Sequence, residues 1–261
     1  MTKYQEKAKI VDLEEMGADV VRVRLRAERI AEAARPGQFV MVRFNEQLDP
    51  LLRRPFSLHS VDRRGRVDLL VKVVGRGTAL LRTLQAGKDV LDLVGPLGNG
   101  FSWYAEGPVC LIGGGIGVAP LYYLASVLHE QQPERKIHIL LGGRTGREVK
   151  VFANRFSWSG HEVAVATDDG SLGYHGLVPD LLADLLAGVC QVYGCGPYGM
   201  LRSVALACRQ AGVPCQVSME THMACGLGAC LGCTIVAADG RYLHVCKDGP
   251  VFDAEKVAWK P

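Results

Sequence analysis

Four cysteines near the C-terminus carry the most specific chemistry in the sequence. Cys225, Cys230 and Cys233 stand in C-x4-C-x2-C spacing, and twelve residues separate Cys233 from Cys246. This is the spacing of the plant-type 2Fe-2S cluster. Such a cluster is negatively charged in either redox state, so it needs thiolate ligands and N–H donors aimed at its sulfurs. Small residues let the backbone approach, and Ala224, Gly226, Gly228, Ala229 and Gly232 supply them. Asp239-Gly240 marks a hairpin turn before the fourth cysteine. Structural zinc sites favour paired C-x2-C knuckles, and only one such pair is present here. A disulfide framework would suit a secreted chain, and MTKYQEKAKIV has no signal-peptide core.

Other motifs are weaker singly. Arg53-Arg54-Pro55-Phe56-Ser57 enters a strand. A strand-borne arginine can pair with a pyrophosphate while a serine two or three residues on meets a flavin ring, or the stretch is a loop of exposed arginines. Val71-Lys72 leads to Gly75-Arg76-Gly77-Thr78, an anion site before a helix or a plain turn, with Gly77-Thr78 as the helix N-cap. The run Gly113-Gly114-Gly115-Ile116-Gly117 between a strand and a helix can seat a pyrophosphate, although it is not G-x-G-x-x-G. Tyr193-Gly194-Cys195-Gly196-Pro197 ends another strand, where ligands of open sheets collect. There Cys195 contacts a nicotinamide or simply packs beside a turn. Thr167-Asp168-Asp169-Gly170-Ser171 lines the same cleft or is a polar turn. Arg144 and Arg147 pair with a 2′-phosphate, favouring NADP, or are solvated.

The elements that position these residues follow from periodicity. Alternating apolar runs at 8–13, 20–25, 38–44, 56–61, 67–74 and 89–94, separated by turn signals, predict a small antiparallel barrel, with a short helix over 78–84. From 108 the pattern becomes strand, helix, strand. Strands are expected at 108–112, 137–141, 162–167, 191–193 and 215–219, with helices at 121–129, 149–156, 178–186 and 198–210. The fold class is therefore all-β plus α/β: an N-terminal antiparallel β-barrel, a doubly wound parallel α/β domain and a small C-terminal cluster module. The boundaries fall at 1–103, 104–218 and 219–261. Cys110, Cys190, Cys208 and Cys215 sit in apolar positions and read as buried, inert thiols. The composition, 48% hydrophobic and 22% charged over 261 residues, is that of a globular protein. A net charge of +3 is too small to argue for nucleic acid or a membrane surface. No apolar run is long enough to span a bilayer, and nine cysteines without a secretory signal suit a cytoplasmic setting.

Taken in order, the motifs resemble the ferredoxin–NADP reductase superfamily, and within it the electron-transfer subunits of class 1B dihydroorotate dehydrogenases. The matching pieces are RRPFSL at 53–58, KVVGRGT at 72–78, GPLGNGF at 95–101, GGGIGVAPL at 113–121, ATDDGSLGYHG at 166–176, YGCGPYGML at 193–201 and MACGLGACLGC at 223–233. They span nearly the whole chain. The resemblance implies that Arg54, Pro55, Phe56 and Ser57 bind FAD, with Leu70, Val71 and Lys72 on the next strand. It implies that Gly77 and Thr78 meet the FAD pyrophosphate. Gly114, Gly115, Gly196 and Pro197 would bound the cleft for NAD(H), and Cys225, Cys230, Cys233 and Cys246 would ligate the cluster. One departure is Phe56, where many relatives in the superfamily carry tyrosine. The implied partner is an FMN-containing catalytic subunit that oxidises dihydroorotate in pyrimidine biosynthesis, in a heterotetramer of two plus two. No base for that reaction stands out in this chain. The alternatives are a reductase subunit of another complex, sulfhydrogenase-like or ferredoxin:NADP oxidoreductase, and a non-catalytic flavin and iron–sulfur redox sensor.

Overall fold

The computed structural model describes residues 2–47, 49–103, 106–156 and 160–260. The first hundred residues form a closed six-stranded barrel. Its strands are β1 (Tyr4–Gly17), β2 (Val20–Arg26), β3 (Phe39–Arg43), β4 (Arg54–Val61), β5 (Arg66–Lys72) and β6 (Val90–Leu97). They close in the order β1-β2-β5-β4-β3-β6, and every neighbouring pair is antiparallel. Period-two alternation sends Ile10, Leu25, Val40, Leu58 and Leu69 into the core at 0–1% exposure. The barrel also buries charge. Asp68 accepts from Arg22 at 3.1 Å and from Arg24 at 2.7 Å. The Arg22 guanidinium reaches on to Asp12 and Glu14.

Two details of this half differ from the expectation. A helix, α1 (Glu28–Ala33), links β2 and β3. It is too short for a period to show in sequence, and the backbone N–H groups of Arg29 and Ile30 donate to the Glu6 carboxylate. The helix expected over 78–84 is one turn, α2 (Arg76–Ala79), running into a 3₁₀ turn at Leu80–Thr83. Its N-cap is Gly75 rather than Gly77-Thr78. Thr78 instead sits at the third helical position, where Oγ1 accepts from the backbone of Val74 and Gly75 at 3.0 and 3.2 Å.

The second half is an open sheet with helices on its faces. In chain order it comprises β7 (Val109–Gly114), α3 (Val118–Gln131), β8 (Ile137–Gly143), α4 (Gly146–Phe156), β9 (Glu162–Thr167), β10 (Tyr174–His175), β11 (Gln191–Cys195), α5 (Tyr198–Ala211) and β12 (Cys215–Ser218). The segment expected as a helix over 178–186 is instead a run of tight turns, with 3₁₀ pieces at Val178–Leu182 and Leu186–Gly188. Bonds three residues apart, such as Leu185 N to Leu182 O at 3.0 Å, take the place of a helical ladder. Val178 is fixed by packing against Gly142, where a Cβ would lie 2.6 Å from it.

The last forty residues add a two-stranded hairpin, β13 (Thr234–Val236) with β14 (Tyr242–His244), and a return strand, β15 (Val251–Asp253). Gly240 turns the hairpin at φ +82°, as the Asp-Gly pair predicts. β15 pairs antiparallel with β12, so the sheet has seven strands in the order β10-β9-β8-β7-β11-β12-β15. The five strands expected are all present, and β10 and β15 extend the set. Among the described residues no helix is long and apolar enough to cross a membrane.

Candidate functional site

Two cavities lie side by side in the groove between barrel and sheet. The smaller, about 340 Å³, is lined by Arg54, Pro55, Phe56, Ser57, Leu70, Lys72 and Thr78 of the barrel, faced by Ile116, Ala119 and the 218–223 segment. The larger, about 620 Å³, opens over the carboxyl ends of the sheet strands and is lined by Gly114, Gly115, Gly117, Gly143, Gly196 and Pro197. Lys72, Ile116 and Glu220 line both, so the cavities meet there.

The barrel side separates the two neighbouring arginines of the sequence. Arg53 is structural: its guanidinium donates to the Asp92 carboxylate and carbonyl, both at 2.7 Å. Arg54 turns to the cavity, donating to the Leu52 carbonyl. Its guanidinium lies against Gly77, where a Cβ would sit 2.7 Å from Nε. No side chain fits at 77 while Arg54 holds that position, which joins two separately predicted residues into one cationic corner. Phe56 stands edge-on to Phe44 at 5.8 Å. On β5, Leu70 and Lys72 face the cavity. Val71, one residue out of phase, points into the barrel core at 1% exposure. Any contact from Val71 to a ligand is therefore through its backbone.

On the sheet side, two turns approach closely. A Cβ on Gly117 would lie 2.5 Å from the Cys195 carbonyl, and one on Gly114 would lie 2.8 Å from Pro197. Glycine at both positions lets the β7–α3 turn and the β11–α5 turn share one floor, below the start of α3. Cys195 itself is fully buried and is absent from the cavity lining. Burial pushes its thiol well up, and its neighbours are Glu220 and Ser218. The cavity is offered Gly196 and Pro197 instead. Of the turn after β9, Asp168 lines the cavity, while Ser171 Oγ accepts from Gly146 N at 2.7 Å. Arg144 is also in the lining and Arg147 is not.

The sequence reading missed three residues. Glu148 in the first turn of α4 lines the larger cavity; in sequence it looks like an ordinary surface charge of an amphipathic helix. Glu220 lines both cavities, and burial raises its carboxyl pKa; it lies between motifs and carried no signal. His59 is 1% exposed, stacks on Tyr122 at 4.4 Å, and its Nδ1 lies 3.1 Å from the Ala119 carbonyl. It joins β4 to α3, and burial holds its pKa at about 3. Its place beside the RRPFSL run was the available signal.

The cysteine loop packs directly on the barrel. Gly226, at φ +70°, has Met41 of β3 where a Cβ would be, 2.5 Å away, and Phe39 of the same strand lines the smaller cavity. Met223 lines that cavity too, two residues before Cys225. The four sulfurs fall in two pairs, Cys225 beside Cys230 and Cys233 beside Cys246. Backbone N–H groups point at them. Leu227 and Cys230 donate to Cys225 Sγ at 3.3 and 3.4 Å, and Gly228 donates to Cys246 Sγ at 3.1 Å. Cys246 N donates to Cys233 Sγ at 3.4 Å. Among the described residues no three His, Cys, Asp or Glu side chains gather as ligands of one metal ion. Two thiols by two fit a dinuclear cluster, in which each iron takes two cysteinates, and the N–H groups suit its charge. Cys230 is exposed, and Leu227 and Leu231 beside it stand 47% and 57% exposed.

Comparison with known proteins agrees with this division. The family model "Oxidoreductase FAD-binding domain" matches residues 7–102, and "Oxidoreductase NAD-binding domain" matches residues 111–205. "Iron-sulfur cluster binding domain of dihydroorotate dehydrogenase B" matches residues 220–258. The electron transfer subunit of dihydroorotate dehydrogenase B (NAD(+)) from Desulforamulus reducens is 38% identical, covering 97% of this chain and 98% of that one. The corresponding protein of Geobacillus kaustophilus is 42% identical over 87% of this chain and 88% of its own. Among solved structures, an NADH-dependent reduced ferredoxin-NADP oxidoreductase superposes with a TM-score of 0.86 at 33% identity, covering 97% of this chain and 90% of that one. A ferredoxin reductase of carbazole 1,9a-dioxygenase shares the fold, with a TM-score of 0.67 at 24% identity over 82% of this chain and 68% of its own.

Proposed function

The chain belongs to the family of dihydroorotate dehydrogenase B electron transfer subunits, and from that premise we propose how its residues carry electrons between NAD(H), FAD and a 2Fe-2S cluster. FAD, when bound, exchanges electron pairs with a nicotinamide and single electrons with an iron–sulfur cluster. Everything else is positioning by this chain, in three units over 1–103, 104–218 and 219–261. Arg54 supplies charge for the FAD pyrophosphate at the corner that Gly77 leaves open, and Thr78 lines the same cavity. Pro55, Phe56, Ser57 and Leu70 bound the flavin ring, while Lys72 and the backbone of Val71 hold its edge. Gly114 and Gly115 seat the nicotinamide nucleotide's pyrophosphate. Gly196 and Pro197 leave room for its ring, and the floor they make keeps Cys195 out of the reaction. Cys225, Cys230, Cys233 and Cys246 hold the cluster.

The observation that carries this reading is continuity. The nucleotide cavity opens into the flavin cavity at Lys72, Ile116 and Glu220, and the flavin cavity is lined by Met223, two residues from the first cysteine. The family name implies a catalytic partner subunit. We assign to that partner an FMN site and the oxidation of dihydroorotate, and place it over the exposed Leu227, Cys230 and Leu231. In the direction of pyrimidine biosynthesis, two electrons leave dihydroorotate and reach NAD+. A cytoplasmic heterotetramer of two plus two completes the proposal. The likeness to the NADH-dependent ferredoxin-NADP oxidoreductase supports a second reading, in which a different electron partner docks on the same loop.

Anaerobic purification with visible spectroscopy tests the core of the proposal. Flavin bands over a broad cluster absorption are expected, and NADH bleaches both. A colourless zinc protein, or flavin that neither NADH nor NADPH reduces, overturns it. Co-purification with an FMN protein that reduces the flavin on addition of dihydroorotate separates the first reading from the second.

A further inference from the structure

One buried imidazole has no task in the scheme above. His59 follows the RRPFSL run on β4. The strand carries an extra residue at this point, because Leu58 pairs with Leu69 of β5 while Ser60 pairs with the very next partner, Asp68. Such a bulge takes one residue out of the ladder and re-aims its side chain. The residue taken out is His59. Its ring stacks on Tyr122 of α3 at 4.4 Å, and its Nδ1 stands 3.1 Å from the Ala119 carbonyl. Among the described residues, Nε2 is buried without a hydrogen-bond partner.

That orphan nitrogen shows what the ring is for. A carbonyl only accepts, and burial keeps the imidazole neutral, so its single ring proton stands on Nδ1 and is donated to Ala119. A phenyl ring would stack on Tyr122 as well and leave no buried nitrogen unpaired. The N–H is what imidazole alone adds. Its acceptor belongs to the first turn of α3, whose N-cap, Gly117, has no capping side chain. A tie to a carbonyl holds this helix end from the side and leaves its N–H groups open to a ligand. One turn on, Tyr123 donates to the Ala34 carbonyl of the barrel half at 3.2 Å. β4 lines the smaller cavity with Pro55, Phe56 and Ser57, and the helix end that His59 holds adds Ala119. Gly114, Gly115 and Gly117, just ahead of that helix, line the larger cavity. The contact of β4 with α3 therefore fixes how the contents of the two cavities face each other.

We propose that His59 is a positioning residue for hydride transfer from NADH to the flavin, its Nδ1–H holding the start of α3, and the glycine turn ahead of it, at a set distance from β4. The hydride, one proton with two electrons, passes to the flavin and leaves NAD+. A misplacement of about 1 Å between donor and acceptor can cost such a step up to about a hundredfold. The inference rests on the flavin and nicotinamide reading of the two cavities.

Two variants separate the N–H from the ring. His59→Phe keeps the stack on Tyr122 and loses the bond; His59→Asn loses the ring and keeps an N–H for Ala119. In stopped-flow reduction of the FAD-loaded protein by NADH, His59→Phe lowers the limiting rate roughly tenfold, with flavin content and Kd for NADH unchanged. His59→Asn keeps the limiting rate within about threefold of wild type, although its unfolding temperature falls. A ring that served packing alone would make His59→Phe the better variant. A wild-type rate in His59→Phe, or a rate in His59→Asn as low as in His59→Phe, therefore overturns the inference. If His59→Phe sheds its flavin, His59→Asn decides alone, and a loss of roughly tenfold there overturns it. Nitrogen NMR of histidine-labelled protein gives a readout apart from turnover. It shows His59 as the Nδ1–H tautomer, untitrated from about pH 8 to about pH 5; an Nε2–H ring, or a charged ring at the lower pH, overturns the inference. Wild-type flavin that neither NADH nor NADPH reduces overturns the reading of the cavities themselves.

Discussion

The chain holds two groups of thiols, and they show how differently one fold can treat the same side chain. In the α/β half, Cys110 and Cys215 on strands and Cys208 on α5 lie in apolar packing, at 0%, 9% and 1% exposure. Burial pushes the Cys110 thiol far up. The hydrogen bond with Cys208, together with burial, does the same for Cys215. In the loop, partial burial also raises Cys225, but the backbone N–H groups of Leu227 and Cys230, with the Cys230 thiol, bring it down to about 6. Cys246, deeper and pressed on Cys233, is pushed up to about 12 in the absence of iron, burial being the larger cause. The type of flanking residue does not separate the groups, since both contain cysteines flanked by small or apolar residues. Backbone donors do. A sulfur becomes a ligand where glycine and short side chains let N–H groups reach it, and stays inert where β-branched and leucine neighbours do not.

The largest expected effect breaks the contrast outright. Cys230→Ser removes the cluster absorption and, with it, electron delivery to a partner, while flavin bands remain; Cys208→Ser leaves the whole visible spectrum unchanged. Equal spectra from the two variants would abolish the distinction. Next in size is Gly226→Ala. Its Cβ would overlap Met41 and its φ of +70° favours glycine, so the cost is about 2 kcal/mol, read as lost iron content and an earlier unfolding transition. Stripping the iron with a chelator sharpens the comparison further. Because its pKa is lowered, Cys225 is a thiolate above about pH 6. Alkylation by iodoacetamide should therefore rise through that pH and level off before pH 8. The buried Cys110, Cys208 and Cys215 should react only on unfolding, and mass spectrometry of the digested protein distinguishes them. The smallest effect is Cys208→Ala, which removes one buried sulfur and costs about 1 kcal/mol of stability with no change in cofactors.

What could be read in the sequence was local. The spacing of the first three cysteines, the glycine turn at 113–117 and the alternation of Val20–Arg26 each encode their structure within a dozen residues. The closed barrel and the parallel sheet follow, because their strands repeat such local signals. What could not be read depends on distant parts meeting. Arg53 and Arg54 are adjacent in sequence, yet only the position of Asp92 shows which one is structural. Val71 was grouped with Leu70 and Lys72, and the barrel turns it the other way. Cys195 was grouped with the turn that follows it, although strand β11 buries it. Glu148 and Glu220 acquire meaning only when α4 and β12 bring them to cavities built by other segments. The strand β15, three residues long, is invisible until β12 offers it an edge.

That short strand makes the cluster module an excursion rather than an appendage. The chain leaves the sheet at Ser218 and returns to the neighbouring position at Val251. Met219 N donates to the Pro250 carbonyl at 2.8 Å and so closes the base of the excursion. Clamping the ends in this way spares the cysteine loop most of the entropy of closing on itself. The metal then has only to order the interior of a loop whose endpoints are already fixed. Loss of iron should therefore leave β12 and β15 paired, so that the module behaves as a cartridge seated between two fixed strands.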